Sequence, residues 1–105
     1  MASRKKYLDF ILEQLSDLDG ITYRAMMGEY LIYYRGKIVC EICDDRLLVK
    51  PVPSAVALMP DAVYESPYEG AKKMLLVDNV DDKLFLTQLM LAVYEELPLP
   101  KKKKA

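Results

Sequence analysis

Apolar positions recur at two different periods along the chain, and the change of period divides it into elements. In SRKKYLDFILEQLSDLDG, Leu8, Ile11, Leu12, Leu15 and Leu18 fall at helical spacing, with Tyr7 and Phe10 beside the stripe. This predicts an opening helix, capped by Ser3 and stopped at Gly20 in a left-handed turn. The period then drops to two. ITYRAMM, EYLIYY, KIVCEIC and RLLVK read as four strands, separated by Gly28, Arg35-Gly36 and Asp44-Asp45. Connections this short enforce an antiparallel meander. Within KIVCEIC, alternation assigns Ile38, Cys40 and Ile42 to one face and Val39 and Glu41 to the other. Gly28 joins two apolar strands with no other turn residue nearby, so a positive φ, a bulge or a tight bend is expected there; Gly36 is the second structural turn glycine.

Pro51 and Pro53 interrupt this pattern. Pro53 suits the first turn of a short helix, SAVALM, that Pro60 closes. DAVYESPYEGA, with Tyr64, Pro67, Tyr68 and Gly70, reads as a surface loop, and KKMLLV as a fifth strand. A last helix is expected to start at Asp78, with Asp81 completing an approximate capping box, and to bury Leu86, Leu89, Met90, Val93 and Leu97 before Pro98 and Pro100 end it. The fold class is therefore α+β: two layers, an antiparallel sheet of about five strands with the N- and C-terminal helices packed on one face. Residues 1–100 form one domain and 101–105 a disordered lysine-rich tail.

Composition agrees. A chain of 105 residues with 52% apolar and 30% charged residues suits one globular domain. No apolar run approaches the roughly 18 residues of a membrane span, and no signal core follows the basic N-terminus, so a cytoplasmic location is expected. The net charge of −1 hides a split: four of the 15 basic residues are Lys101, Lys102, Lys103 and Lys104, which leaves 11 elsewhere against 16 acidic residues. An acidic body is a poor ligand for duplex DNA, because nucleic-acid affinity rests on neutralising phosphates. Non-specific binding through Arg4, Lys5, Lys6 and the lysine tail is the alternative function; a small enzyme is a third.

Candidate chemistry is sparse. With no histidine, the commonest general base and the triads built on it are missing. The acidic pairs Asp44-Asp45, Asp81-Asp82 and Glu95-Glu96 read as turn and helix-end residues, and the four glycines form no phosphate-binding loop. Cys40 and Cys43 make a lone C-x-x-C in a strand, with no further cysteine or histidine to complete a zinc site. Three residues apart, they point to opposite faces and read as two structural thiols. No catalytic residue, metal or cofactor is expected. Eight tyrosines could serve as stacking platforms, but Tyr23, Tyr30, Tyr33 and Tyr34 read better as half-buried strand residues.

The distinctive feature is that both faces of EYLIYY are apolar. Either Leu31 and Tyr33 or Tyr30, Ile32 and Tyr34 must face away from the helices. The set taken as the partner-binding surface is Tyr30, Ile32 and Tyr34 with Arg24 and Met26, and a second copy of the chain is the simplest protein partner. The competing expectation is that residues 51–70 fold across this face and close it.

YRAMMGEYLIYYRGK, then DDRLLVK and YEGAKKMLLV, resemble the N-terminal domain of the TfoX/Sxy family of competence regulators. Arg24, Met26, Met27, Gly28, Tyr30, Gly36, Lys50 and Tyr68 stand at the places that mark the family, and the likeness runs from the first helix to Leu97. It implies a fold similar to that of secretion chaperones. It also implies a non-enzymatic role in switching on bacterial competence genes alongside other transcription factors. Full-length regulators of that family carry a second, C-terminal domain, whereas this chain ends at PLPKKKKA, so a stand-alone relative is expected.

Overall fold

The computed structural model describes residues 4–26, 28–67 and 69–97. Helix α1 (Lys5–Gln14) leads into strands β1 (Ile21–Met26), β2 (Glu29–Tyr34), β3 (Lys37–Cys43) and β4 (Arg46–Val49). Helix α2 (Pro53–Leu58), strands β5 (Tyr64–Glu65) and β6 (Met74–Leu76), and helix α3 (Lys83–Glu96) follow. The strands form one antiparallel sheet in the order β1-β2-β3-β4-β6-β5. The two-layer α+β expectation holds, with a sixth strand in the segment after Pro60, where the sequence predicts a loop. β5 has only two residues, too few for a period to register.

The helical stripes bury as their spacing requires. Leu8 and Ile11 of α1, Leu15 and Leu18 just beyond it, and Leu86, Leu89, Met90 and Val93 of α3 join one core. From the sheet, Ile32, Cys40, Ile42, Leu47, Val49 and Leu75 complete it. Two helix boundaries differ from expectation. α1 closes at Gln14, and a turn linking the Leu18 N–H to the Leu15 carbonyl carries the chain on to Gly20, whose φ is +103°. α3 is capped by Asp82, whose carboxylate accepts from the Phe85 N–H at 3.0 Å, and not by Asp78. Val80 packs against the core and its carbonyl accepts from Gln14 Nε2, so the chain must turn at 79–82 before it can coil. Ser3 lies outside the described residues, and Arg4 holds the N-cap position of α1. The far end of α3 is closed from the sheet: Lys37 Nζ donates to the carbonyls of Tyr94 and Leu97 at 3.1 and 2.9 Å, and lies 4.2 Å from the Tyr94 ring centre. A cation here also complements the negative end of the helix.

Three tight hairpins fix the register of the meander. At the second, Arg35 and Gly36 both have positive φ, and at the third Asp44 and Asp45 do so without glycine. This is the backbone that right-twisted strands prefer at a two-residue turn, and Asp tolerates it best among larger residues. The first hairpin pairs Met26 with Glu29, and Gly28 sits at φ +83° in its turn as expected. Replacing Gly28 by alanine should cost about 1 kcal/mol or more, because a Cβ disfavours that region. The check is the urea midpoint, and an unchanged midpoint would refute the assignment.

Candidate interaction surface

The first hairpin decides which side chains share a face. Met26 faces Glu29, so Arg24 faces Leu31 and Thr22 faces Tyr33. Residues directly opposite in an antiparallel pair project from the same side. The expected partner-binding set therefore divides. Ile32 and Tyr34 are buried in the helix-side core, and Tyr30 packs on its margin with its ring edge-on to Tyr23. These three do not form a free surface. Arg24 and Met26 point the other way and are exposed, Met26 at 44%. They share that second face with Leu31 and Tyr33. Gly28 and Gly36 lie in the turns that set this geometry.

A bulge modifies the next strand. Ile32 pairs with Cys40 but Tyr33 pairs with Ile38, which leaves Val39 as the extra residue. Val39 and Cys40 consequently both reach the helix-side core, while Ile38 turns to the second face beside Tyr33. This reverses the sides expected for Ile38 and Val39. Glu41 and Cys43, beyond the bulge, keep to the second face, so the two free thiols lie on opposite sides of the sheet.

The second face has a closed end and an open end. At the closed end Cys43, Leu48 and Met74 are buried together with Leu76 against them. Buried Pro67 and nearby Ala71 line a cavity of about 440 Å³ with Glu41, Lys50, Lys73 and Met74. An Arg46–Glu65 ion pair ties β4 to β5 here, and Arg46 also donates to the Cys43 carbonyl at 3.2 Å. The stretch around Pro67 therefore covers one end of the sheet and not all of it. At the open end, Thr22, Arg24 and Met26 remain exposed beside Leu31, Tyr33 and Ile38.

Where the two ends meet, Glu29, Glu41 and Cys43 bring their donor atoms within 4.8 Å of one another. The pattern was hidden in the sequence, because Glu29 and Cys43 become neighbours only through the register of β2 on β3. Burial, then the Glu29 charge, raise the Glu41 carboxyl above its ordinary range, with Lys50 opposing. Burial also pushes the Cys43 thiol up to about 12, and the charges of Glu29 and Glu41 push the same way. Cys43 Sγ lies 4.0 Å from Glu41 Oε1. At neutral pH the Cys43 thiol is therefore protonated.

The basic N-terminal end is largely engaged. Arg4 pairs with Asp45, which accepts from both its backbone N–H and its Nε at 2.8 Å, and Lys5 pairs with Asp9 at 3.0 Å. Those contacts hold the Asp45 carboxyl below its ordinary range. Lys101 to Lys104, Met27 and Tyr68 lie outside the described residues. Among the described residues no helix is long and apolar enough to cross a membrane.

Comparison with known proteins adds two matches. The family model described as the TfoX N-terminal domain matches residues 13–95. The chain is also similar to an uncharacterized 12.7 kDa protein in the trpE 5′ region of Spirochaeta aurantia. The two are 32% identical over 106 aligned residues, which take in 100% of this chain and 92% of the relative. No solved structure matches the chain.

Proposed function

We propose, from the premise that this chain belongs to the TfoX N-terminal domain family, that it is a non-catalytic protein-interaction module with a regulatory role in the cytoplasm. The observation that supports this reading is the open end of the second face. Exposed Arg24 and Met26 border an apolar strip made of buried Leu31 and half-buried Tyr33 and Ile38. An apolar strip rimmed by polar groups is the usual form of a protein-docking patch. A protein partner fits better than a nucleic acid, since the basic residues other than the terminal lysines are outnumbered 11 to 16 by acidic ones.

The test substitutes Arg24→Glu and Met26→Glu together, because both side chains are exposed and neither supports the core. A tagged chain should retain cellular proteins that the double variant loses, with an unchanged circular dichroism spectrum. Two results would overturn the reading. One is capture that survives the substitutions. The other is micromolar oligonucleotide binding that persists above about 200 mM salt after removal of residues 101–105.

A further inference from the structure

The sheet treats its two edges differently. The β5 edge is two residues long, tied by the Arg46–Glu65 ion pair and followed by Pro67. Short length and nearby proline are the usual protections of an edge strand. The opposite edge, β1, has six residues, Ile21-Thr22-Tyr23-Arg24-Ala25-Met26, without proline, lysine or bulge, and five of them are exposed. Beside it runs a groove of about 560 Å³ between α1 and β1, with Leu12, Leu15, Leu18, Ile21 and Tyr23 along its walls.

The phase of the β1–β2 ladder shows which backbone groups this edge offers. The Arg35 N–H donates to the Gly20 carbonyl at 3.1 Å, so Gly20 and Arg35 form a hydrogen-bonded pair. Such pairs alternate along antiparallel strands. Thr22, Arg24 and Met26 therefore direct their N–H and C=O groups to β2, and Ile21, Tyr23 and Ala25 direct theirs outward. No other described element donates to or accepts from these three.

We infer that β1 pairs with β1 of a second copy, antiparallel about a two-fold axis through Tyr23, joining two sheets into one. This deepens the proposed interaction role and rests on it. Two features fit a second copy. First, helix layers on the same side require residues of equal parity to face each other. Centring on Tyr23 meets this and makes Tyr23–Tyr23 and both Ile21–Ala25 contacts hydrogen-bonded pairs, so every outward backbone group of the strand finds a partner. Second, the one charged residue of the strand, Arg24, then faces Thr22 and not its own copy; centring on Arg24 would oppose two guanidiniums. The pairing also lays the helix-side residues of the second strand over the apolar groove and joins the two open ends into one continuous face.

The experiment measures self-association by sedimentation equilibrium, with amide hydrogen exchange read residue by residue. The wild-type chain should form a dimer at high concentration. The amides of Ile21, Tyr23 and Ala25 should be protected there and exchange freely on dilution, while those of Thr22 and Arg24 stay protected throughout. Tyr23→Pro removes an N–H that β2 does not use, and Ala25→Lys places a charge on the edge; each should weaken the dimer at least about tenfold with the monomer still folded. A chain that is monomeric at about 1 mM overturns the inference. So does a dimer indifferent to both variants. If that dimer dissociates instead with Arg24→Glu and Met26→Glu, the contact lies on the face and not the edge, and the interaction role stands without this pairing.

Discussion

Ile32→Ala should lose about 3 to 4 kcal/mol of folding stability, whereas Tyr33→Ala, one residue along, should lose about 1 kcal/mol or less. Ile32 is fully buried at the centre of β2, opposite Cys40 and beneath the helices. Truncation there removes transfer energy and leaves a cavity that a strand hydrogen-bonded on both sides cannot collapse to fill. Tyr33 lies on the second face, where its ring is only half-buried. Against a total of roughly 5 to 15 kcal/mol for a domain, the first loss is large and the second is not. Urea midpoints at constant m-value measure both. Equal losses, or a larger one at Tyr33, would show that the faces have been assigned the wrong way round.

That assignment is where reading the sequence succeeded and where it stopped. Period placed α1, the four-strand meander and α3, because each buried stripe is long enough to repeat, whereas α2 buries only Ala55 and is marked by its prolines. It could not say which face of EYLIYY meets the helices, since Leu31, Ile32 and Tyr33 are all apolar. The partner set then joined Arg24 and Met26 to Tyr30, Ile32 and Tyr34, residues that the sheet puts on opposite sides. The pairing of Met26 with Glu29 corrects this, because it sets even positions of β1 against odd positions of β2. The bulge at Val39 had no such signal. An extra β-branched residue among Ile38, Val39 and Cys40 looks like ordinary alternation, and only the register exposes it.

The candidate site was legible in kind more than in detail. An apolar second face, partly covered by the segment after Pro51, follows from the excess of apolar strand residues over what one helix layer can cover. Its polar centre did not follow. Glu41 and Cys43 are two apart and visibly share a face, but Glu29 reaches them only across a hairpin whose register includes the bulge. The free β1 edge depends in turn on strand order, which places the first strand outermost.

The two thiols give the second large effect, a loss of stability at alkaline pH. An unfolded cysteine ionises near 9.0, whereas burial first, then the charges of Glu29 and Glu41, raise Cys43 to about 12 in the fold. Cys40, fully enclosed in the helix-side core, is raised further, again mainly by burial. A folded pKa above the unfolded one means that the unfolded chain releases protons the fold retains. Stability is thus fully present below about pH 9 and is lost as pH climbs toward 12. Each thiol contributes a slope of about 1.4 kcal/mol per pH unit in that window, so the pair contributes about 2.7 kcal/mol per pH unit. Tyrosines and lysines titrate in the same range, so the informative quantity is a difference. Cys40→Ala with Cys43→Ala should start less stable at pH 8, from the lost packing, and then decline more slowly, so that the two stability curves converge toward pH 11. Parallel curves would mean that the thiols ionise in the fold as readily as in the unfolded chain. Because the two sulfurs project from opposite faces of one strand, the same burial that produces this slope keeps them from bridging, and mild oxidation of the native protein should leave both thiols titratable after unfolding.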